Sequence, residues 1–126
     1  MVELGDEKVL YAFDKTLEPA LVVPSGTTVR VRTKDCFGNQ VQRPDDELDE
    51  IDWDHINPAT GPIFVEGAVP GGALKVTIEA IEFDGQTASC TGEGEGVCGD
   101  RFDAWSTHLC KIDGDELVWD EGLRIP

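Results

Sequence analysis

Apolar residues recur at every second position along this chain, in runs that glycine and proline cut short, and this pattern constrains the fold most. In residues 27–33, Val29 and Val31 point to one side while Thr28, Arg30 and Arg32 point to the other, the period of two of a half-buried strand. Pro24-Ser25-Gly26 precedes that run as a turn. The longest run is residues 73–83. There Leu74, Val76, Ile78 and Ala80 form an inward row, and Lys75, Thr77 and Glu79 an outward one. The phase breaks at Ile81 and Phe83, as at a bulge or where a second face is buried. Gly85 turns the chain into a strand at 87–90. Asp113-Gly114, between strand-like residues 107–112 and 116–119, is the strongest short-range signal of a hairpin. Residues 9–13, 20–23 and 63–65 complete the set, and no segment of ten or more residues has helical spacing with caps. Many short strands separated by turns predict an all-β chain, an antiparallel β-sandwich or jelly-roll-like fold. Its 126 residues suit a single domain over 1–126, able to bury a core without disulfides or metal.

Charge narrows the partners. Against 26 Asp and Glu stand 10 Lys and Arg, a formal charge of −16 that repels phosphate backbones and anionic lipid. Nucleic acid and membrane are therefore not expected as partners. The apolar runs also fall far below the roughly 20 residues that cross a bilayer. No basic stretch followed by an apolar one opens the sequence, so the expected location is cytoplasmic, with the cysteines as thiols. Acidic residues are scattered as on a solvated surface, except in residues 45–54, where seven carboxylates fall within ten positions. That density predicts a hydrated loop. It also offers oxygen ligands to a hard cation such as calcium, although the D-x-D-x-D-G spacing is absent.

Cys36, Cys90, Cys98 and Cys110 contain no Cys-x-x-Cys pair, which argues against a structural zinc site. Cys110 lies in an apolar stretch and reads as a buried small hydrophobe; His108, in its row with Ile112, reads as a core or edge histidine. Cys90 and Cys98 flank a glycine-rich loop whose two glutamates would repel phosphate. His55 sits among acids and is expected to be exposed.

Two places have residues suited to chemistry. Asp35-Cys36-Phe37-Gly38 follows the 27–33 run, and a carboxylate beside a thiol at a strand end can ligate a metal or orient a water. Glu66 stands at the exit of a very short strand held between two Pro/Gly-rich turns. Such turns either position a functional carboxylate or join two strands with Glu66 solvated. No Gly-x-Ser-x-Gly elbow is present, so a serine hydrolase of that type is unsupported.

Thr33-Lys34-Asp35-Cys36-Phe37-Gly38-Asn39-Gln40, then Asn57-Pro58-Ala59-Thr60-Gly61-Pro62, Phe64-Val65-Glu66-Gly67-Ala68, Pro70-Gly71 and Leu74-Lys75-Val76 together resemble the N-terminal part of the acetamidase/formamidase family. Pro19-Ala20 and Val23-Pro24-Ser25-Gly26 fit the same pattern, and Gly72 departs from it where the family typically carries Asp. The resemblance implies a β-sandwich and the hydrolysis of small linear amides, formamide or acetamide, to a carboxylate and ammonia. Members of the family are longer, with a His-Gly-Gly-Asn element in the half that has no counterpart here. The chain is thus expected to be an N-terminal fragment or subunit whose site needs a complementary C-terminal chain or a homo-oligomer. Leu123-Arg124-Ile125-Pro126 fits that expectation, ending either where the chain continues or meets another, or in a short terminal strand. By the same resemblance, Asp35 is a ligand or water-orienting group, Glu66 a second carboxylate acting as general base, and Asn57 a donor to the amide carbonyl. Asp35 and Cys36 are the residues expected to hold a divalent metal, zinc or calcium. The alternative is a non-catalytic β-sandwich binding or scaffold module.

Overall fold

Turns and short ladders dominate the computed structural model, which describes residues 1–83 and 85–126. Among these residues the strands are β1 (Val2–Leu4), β2 (Val9–Leu10), β3 (Leu21–Pro24), β4 (Val29–Val31), β5 (Ala59–Thr60), β6 (Ile63–Glu66), β7 (Gln86–Thr91), β8 (Ser106–Asp113), β9 (Glu116–Val118) and β10 (Arg124–Ile125). The chain is thus predominantly β, in several separate sheets. No helix of the described residues is long and apolar enough to cross a membrane.

The strands divide between two compact units. The first comprises Met1–Gly38 and Asp54–Glu79. In it β1 pairs with β4 and β3 with β6, both in parallel, while β2 and β5 are antiparallel. The two parallel pairs correct the expectation of a purely antiparallel arrangement. Alternation specifies which side chains share a face, not the direction of the neighbouring strand, and these partners are too distant in sequence for a tight hairpin to impose one. In the β3–β6 ladder Leu21 faces Ile63, Val23 faces Val65 and Pro24 faces Glu66. Val23 is the buried residue of this ladder, whereas Val22 and its register partner Phe64 are 54% and 49% exposed.

The second unit comprises Asn39–Trp53 and Ala80–Pro126. Its antiparallel sheet runs in the order β10-β9-β8-β7. The expected hairpin is β8–β9, with Asp113 opposite Glu116, which makes Gly114-Asp115 the two-residue loop. Gly114 has φ +64°, and a positive φ at the first loop position is the type II′ pattern that glycine adopts without steric cost. The last strand, β10, pairs with β9, and Arg124 clamps it through Asp113 and Glu116, at 2.6 Å each. Cys110 is buried as expected, and burial pushes its thiol above the usual range. His108, on the same strand, is exposed; its ring stacks on Trp119 and its Nε2 lies 2.7 Å from the Trp119 carbonyl oxygen.

Two further expectations need correcting. Residues 45–54 are not merely a hydrated loop: Leu48 is 2% exposed, and its carbonyl accepts from the Trp53 indole N–H at 2.9 Å. The Thr107 hydroxyl donates to the Asp46 carbonyl at 3.2 Å, tying this acidic segment to the sheet, and the Gln86 amide donates to the Gln42 carbonyl just before the segment at 3.0 Å. One apolar side chain with a place to dock thus holds a segment whose carboxylates are mostly exposed, with Asp46 taken up by the Gln42 and Arg43 N–H groups. The second correction concerns residues 73–83, which form no strand and are exposed throughout, Leu74, Val76 and Ile78 included. A strand needs a ladder neighbour for its peptide groups, and among the described residues no sheet includes this run.

Candidate functional site

Asp35, Cys36, Asn57 and Glu66 all belong to the first unit. After β4, the chain turns tightly at Asp35, whose carbonyl accepts from the Gly38 N–H at 3.0 Å. Asp35 is half-buried and Cys36 exposed. All four cysteines are thiols.

Asn57 meets that turn from the other direction. Its backbone N–H donates to the Cys36 carbonyl at 2.6 Å, and its φ of +53° places it in the left-handed region that asparagine tolerates better than most residues. The fold therefore brings Asn57 beside the Asp35-Cys36 turn although twenty residues separate Cys36 from it in sequence. From Asn57 the chain enters β5. The Thr60 hydroxyl there donates to the Arg32 carbonyl at 2.7 Å, and the Gly61 N–H donates to Lys8 at 3.2 Å. These bonds anchor the Asn-Pro-Ala-Thr-Gly-Pro stretch to the segment leaving β4 and to Lys8, just before β2.

The Gly61–Pro62 bond is cis, and Pro62 accepts from the Ala20 N–H at 2.8 Å as β6 begins. Glu66 ends β6 opposite Pro24 with its side chain exposed, and Gly67 (φ +80°) turns the chain away immediately after it. Glu66 thus stands at the end of the β3–β6 ladder, while Asp35, Cys36 and Asn57 gather at the turn after β4.

Sequence reasoning missed one neighbour in the same unit. The Tyr11 ring meets His55 edge-on, with centroids 4.8 Å apart and planes at 82°. No short-range motif joins Tyr11 to His55; only the approach of their two segments could reveal the pair.

Among the described residues no three His, Cys, Asp or Glu side chains converge as a metal site. Asp35 and Cys36 alone do not make up the four-ligand set of a structural zinc or the six to eight oxygens of calcium. An open hollow of about 500 Å³ lies in the second unit, lined by the glycine-rich loop with Glu93, Val97, Asp100 and Phe102. None of the four candidate residues lines it.

Comparison with known proteins identifies the chain's relatives. Residues 5–110 match the model of the acetamidase/formamidase family. Among solved structures, a predicted acetamidase/formamidase from Thermoanaerobacter tengcongensis is 42% identical and superposes over 99% of this chain with a TM-score of 0.92. An acetamidase from Bacillus halodurans is 34% identical over 99% of the chain, with a TM-score of 0.84. An acetamidase from Yersinia enterocolitica, 18% identical with a TM-score of 0.71, shares the fold. In each case the match spans 42% of the relative's own length. No match is found among curated proteins. With the family model matched over most of the sequence and two solved relatives above 30% identity, the chain belongs to the acetamidase/formamidase family.

Proposed function

We propose that residues 1–126 form the N-terminal β-sandwich domain of a hydrolase of small linear amides, which adds water to formamide or acetamide and releases a carboxylate and ammonia. A complementary C-terminal polypeptide completes the site, with a homo-oligomer as the alternative assembly. The cytoplasm, where four thiols persist, is its proposed setting. The reading is supported by family membership together with one bond, from the Asn57 backbone N–H to the Cys36 carbonyl, which holds Asn57 beside the Asp35 turn.

Amide hydrolysis needs three things: a water made nucleophilic, a carbonyl polarised toward the oxyanion, and a proton for the leaving nitrogen. In this proposal Asp35 accepts a hydrogen bond from the attacking water and orients its lone pair. The Asn57 side-chain N–H donates to the carbonyl oxygen, where charge develops as the water oxygen bonds to the carbonyl carbon. Glu66 takes the proton the water loses and returns it to the nitrogen as the C–N bond breaks. A divalent metal, zinc or calcium, enters the proposal only with Asp35 and Cys36 as two of its donors and the remainder supplied by the completing polypeptide.

The test is ammonia release from formamide and acetamide by the chain alone and with the part of the Thermoanaerobacter tengcongensis protein that lies outside the matched region. Turnover is expected only with both, and Asp35→Ala and Glu66→Gln should each lower kcat by about 100-fold or more. Unchanged turnover in both variants would remove their assigned roles. Metal analysis of the assembled protein decides whether Cys36→Ser alters metal content.

A further inference from the structure

Residues 73–79, in the first unit, have the sequence of a strand and none of its pairing. They run without helix, turn or bend and have no ladder partner among the described residues. Leu74, Val76 and Ile78, one row of a twofold alternation, are 62%, 76% and 74% exposed. Lys75, Thr77 and Glu79 form the other row, mixed in charge and polar. Contiguous apolar exposure of this kind marks a surface that another element covers. A straight segment rich in β-branched residues, with ladder positions open, is the form that accepts an added strand.

Two observations indicate what covers it. The solved relatives superpose on 99% of this chain, yet only 42% of their own length is matched, so most of each relative lies outside the part seen here. A second copy is a poor occupant, because each copy carries a formal charge of −16 and like fields oppose approach.

We propose that residues 73–79 accept a β-strand from the polypeptide that completes the family fold, pairing main chain to main chain and burying Leu74, Val76 and Ile78. This rests on the reading that further polypeptide completes the fold, and it names where that polypeptide joins.

Hydrogen exchange read by mass spectrometry tests it on the full chain, alone and mixed with the part of the Thermoanaerobacter tengcongensis protein outside the matched region. Alone, the amides of 73–79 should exchange at the rates of unpaired backbone; in the complex they should slow by about 100-fold or more. Val76→Pro, which removes a ladder donor from a segment that is unpaired in the isolated chain, should weaken the complex at least tenfold, at about 1.4 kcal/mol per decade, without shifting the melt of the chain. Ile78→Lys should weaken it through the side-chain row. If a complex forms while the amides of 73–79 exchange as before, the proposal is overturned, and ammonia release by that complex would leave the hydrolase reading standing. Protection of 73–79 without ammonia release supports the docking strand and counts against the hydrolase reading. Protection already present in the isolated chain through self-association, or no complex at all, overturns the proposal.

Discussion

The backbone N–H of Asn57 donates to the carbonyl of Cys36 at 2.6 Å, with Asn57 held at φ +53°. That bond joins the loop leaving β4 to the loop entering β5, two of the stretches that carry the family's sequence pattern in this chain. It also separates what the Asn57 backbone does, which is local geometry, from what its side chain is proposed to do.

Asn57→Gly should preserve the backbone conformation, because glycine reaches positive φ without penalty. Asn57→Val should cost about 1–2 kcal/mol, the order expected when a side chain branched at Cβ is forced into the left-handed region. Thermal melts of the two variants measure the difference. In the completed enzyme, Asn57→Gly should lower kcat by about 100-fold if the carboxamide binds the developing oxyanion. A glycine variant with full turnover would leave Asn57 a purely structural residue.

Leu48 is the most informative residue of the acidic segment. At 2% exposure, its truncation to alanine should cost about 2–5 kcal/mol from lost burial and the cavity left behind. Glu47→Ala, next to it on the exposed side of the segment, should leave the melt nearly unmoved. Denaturant titration of both variants checks the contrast. Equal small effects would mean that the segment contributes no core.

Asp46 accepts from the backbone N–H groups of Gln42 and Arg43, at 2.8 and 2.9 Å, and from the Arg43 guanidinium. The Gln42 N–H first, and then the Arg43 contacts, hold its carboxyl below the usual carboxylate range. A carboxyl whose folded pKa is depressed stabilises the fold fully above its unfolded pKa of about 3.9, and that stabilisation disappears as pH falls through the lower folded value. Asp46→Asn should therefore flatten the acid limb of a stability–pH profile below about pH 4 while changing its shape little near neutrality. An unchanged acid limb would show that these bonds do not persist in solution.

Much of the fold was legible in the sequence because its signals are local. The β8–β9 hairpin follows from a glycine that takes φ +64° without strain between two strand-like runs. Burial of Cys110 follows from its apolar surroundings, and β6 from the turns at either side of it. The family pattern was legible for the same reason: Asn57–Pro62, Glu66 and the Asp35 turn are short contiguous motifs. The docking of Leu48, the exposure of His108 beside Trp119 and the Tyr11–His55 contact were not legible, since each depends on which distant segment lies opposite.

By itself the sequence determined the β character, the β8–β9 hairpin and the family, because turn chemistry and twofold alternation act between near neighbours. Only tertiary structure decided that β3 and β6 run parallel, that Asn57 bonds to Cys36, and that residues 73–79 have no partner within the described chain. The physical reason is shared: a hydrogen-bonding edge or an apolar row specifies that something must lie against it, and the three-dimensional path of the chain specifies what does.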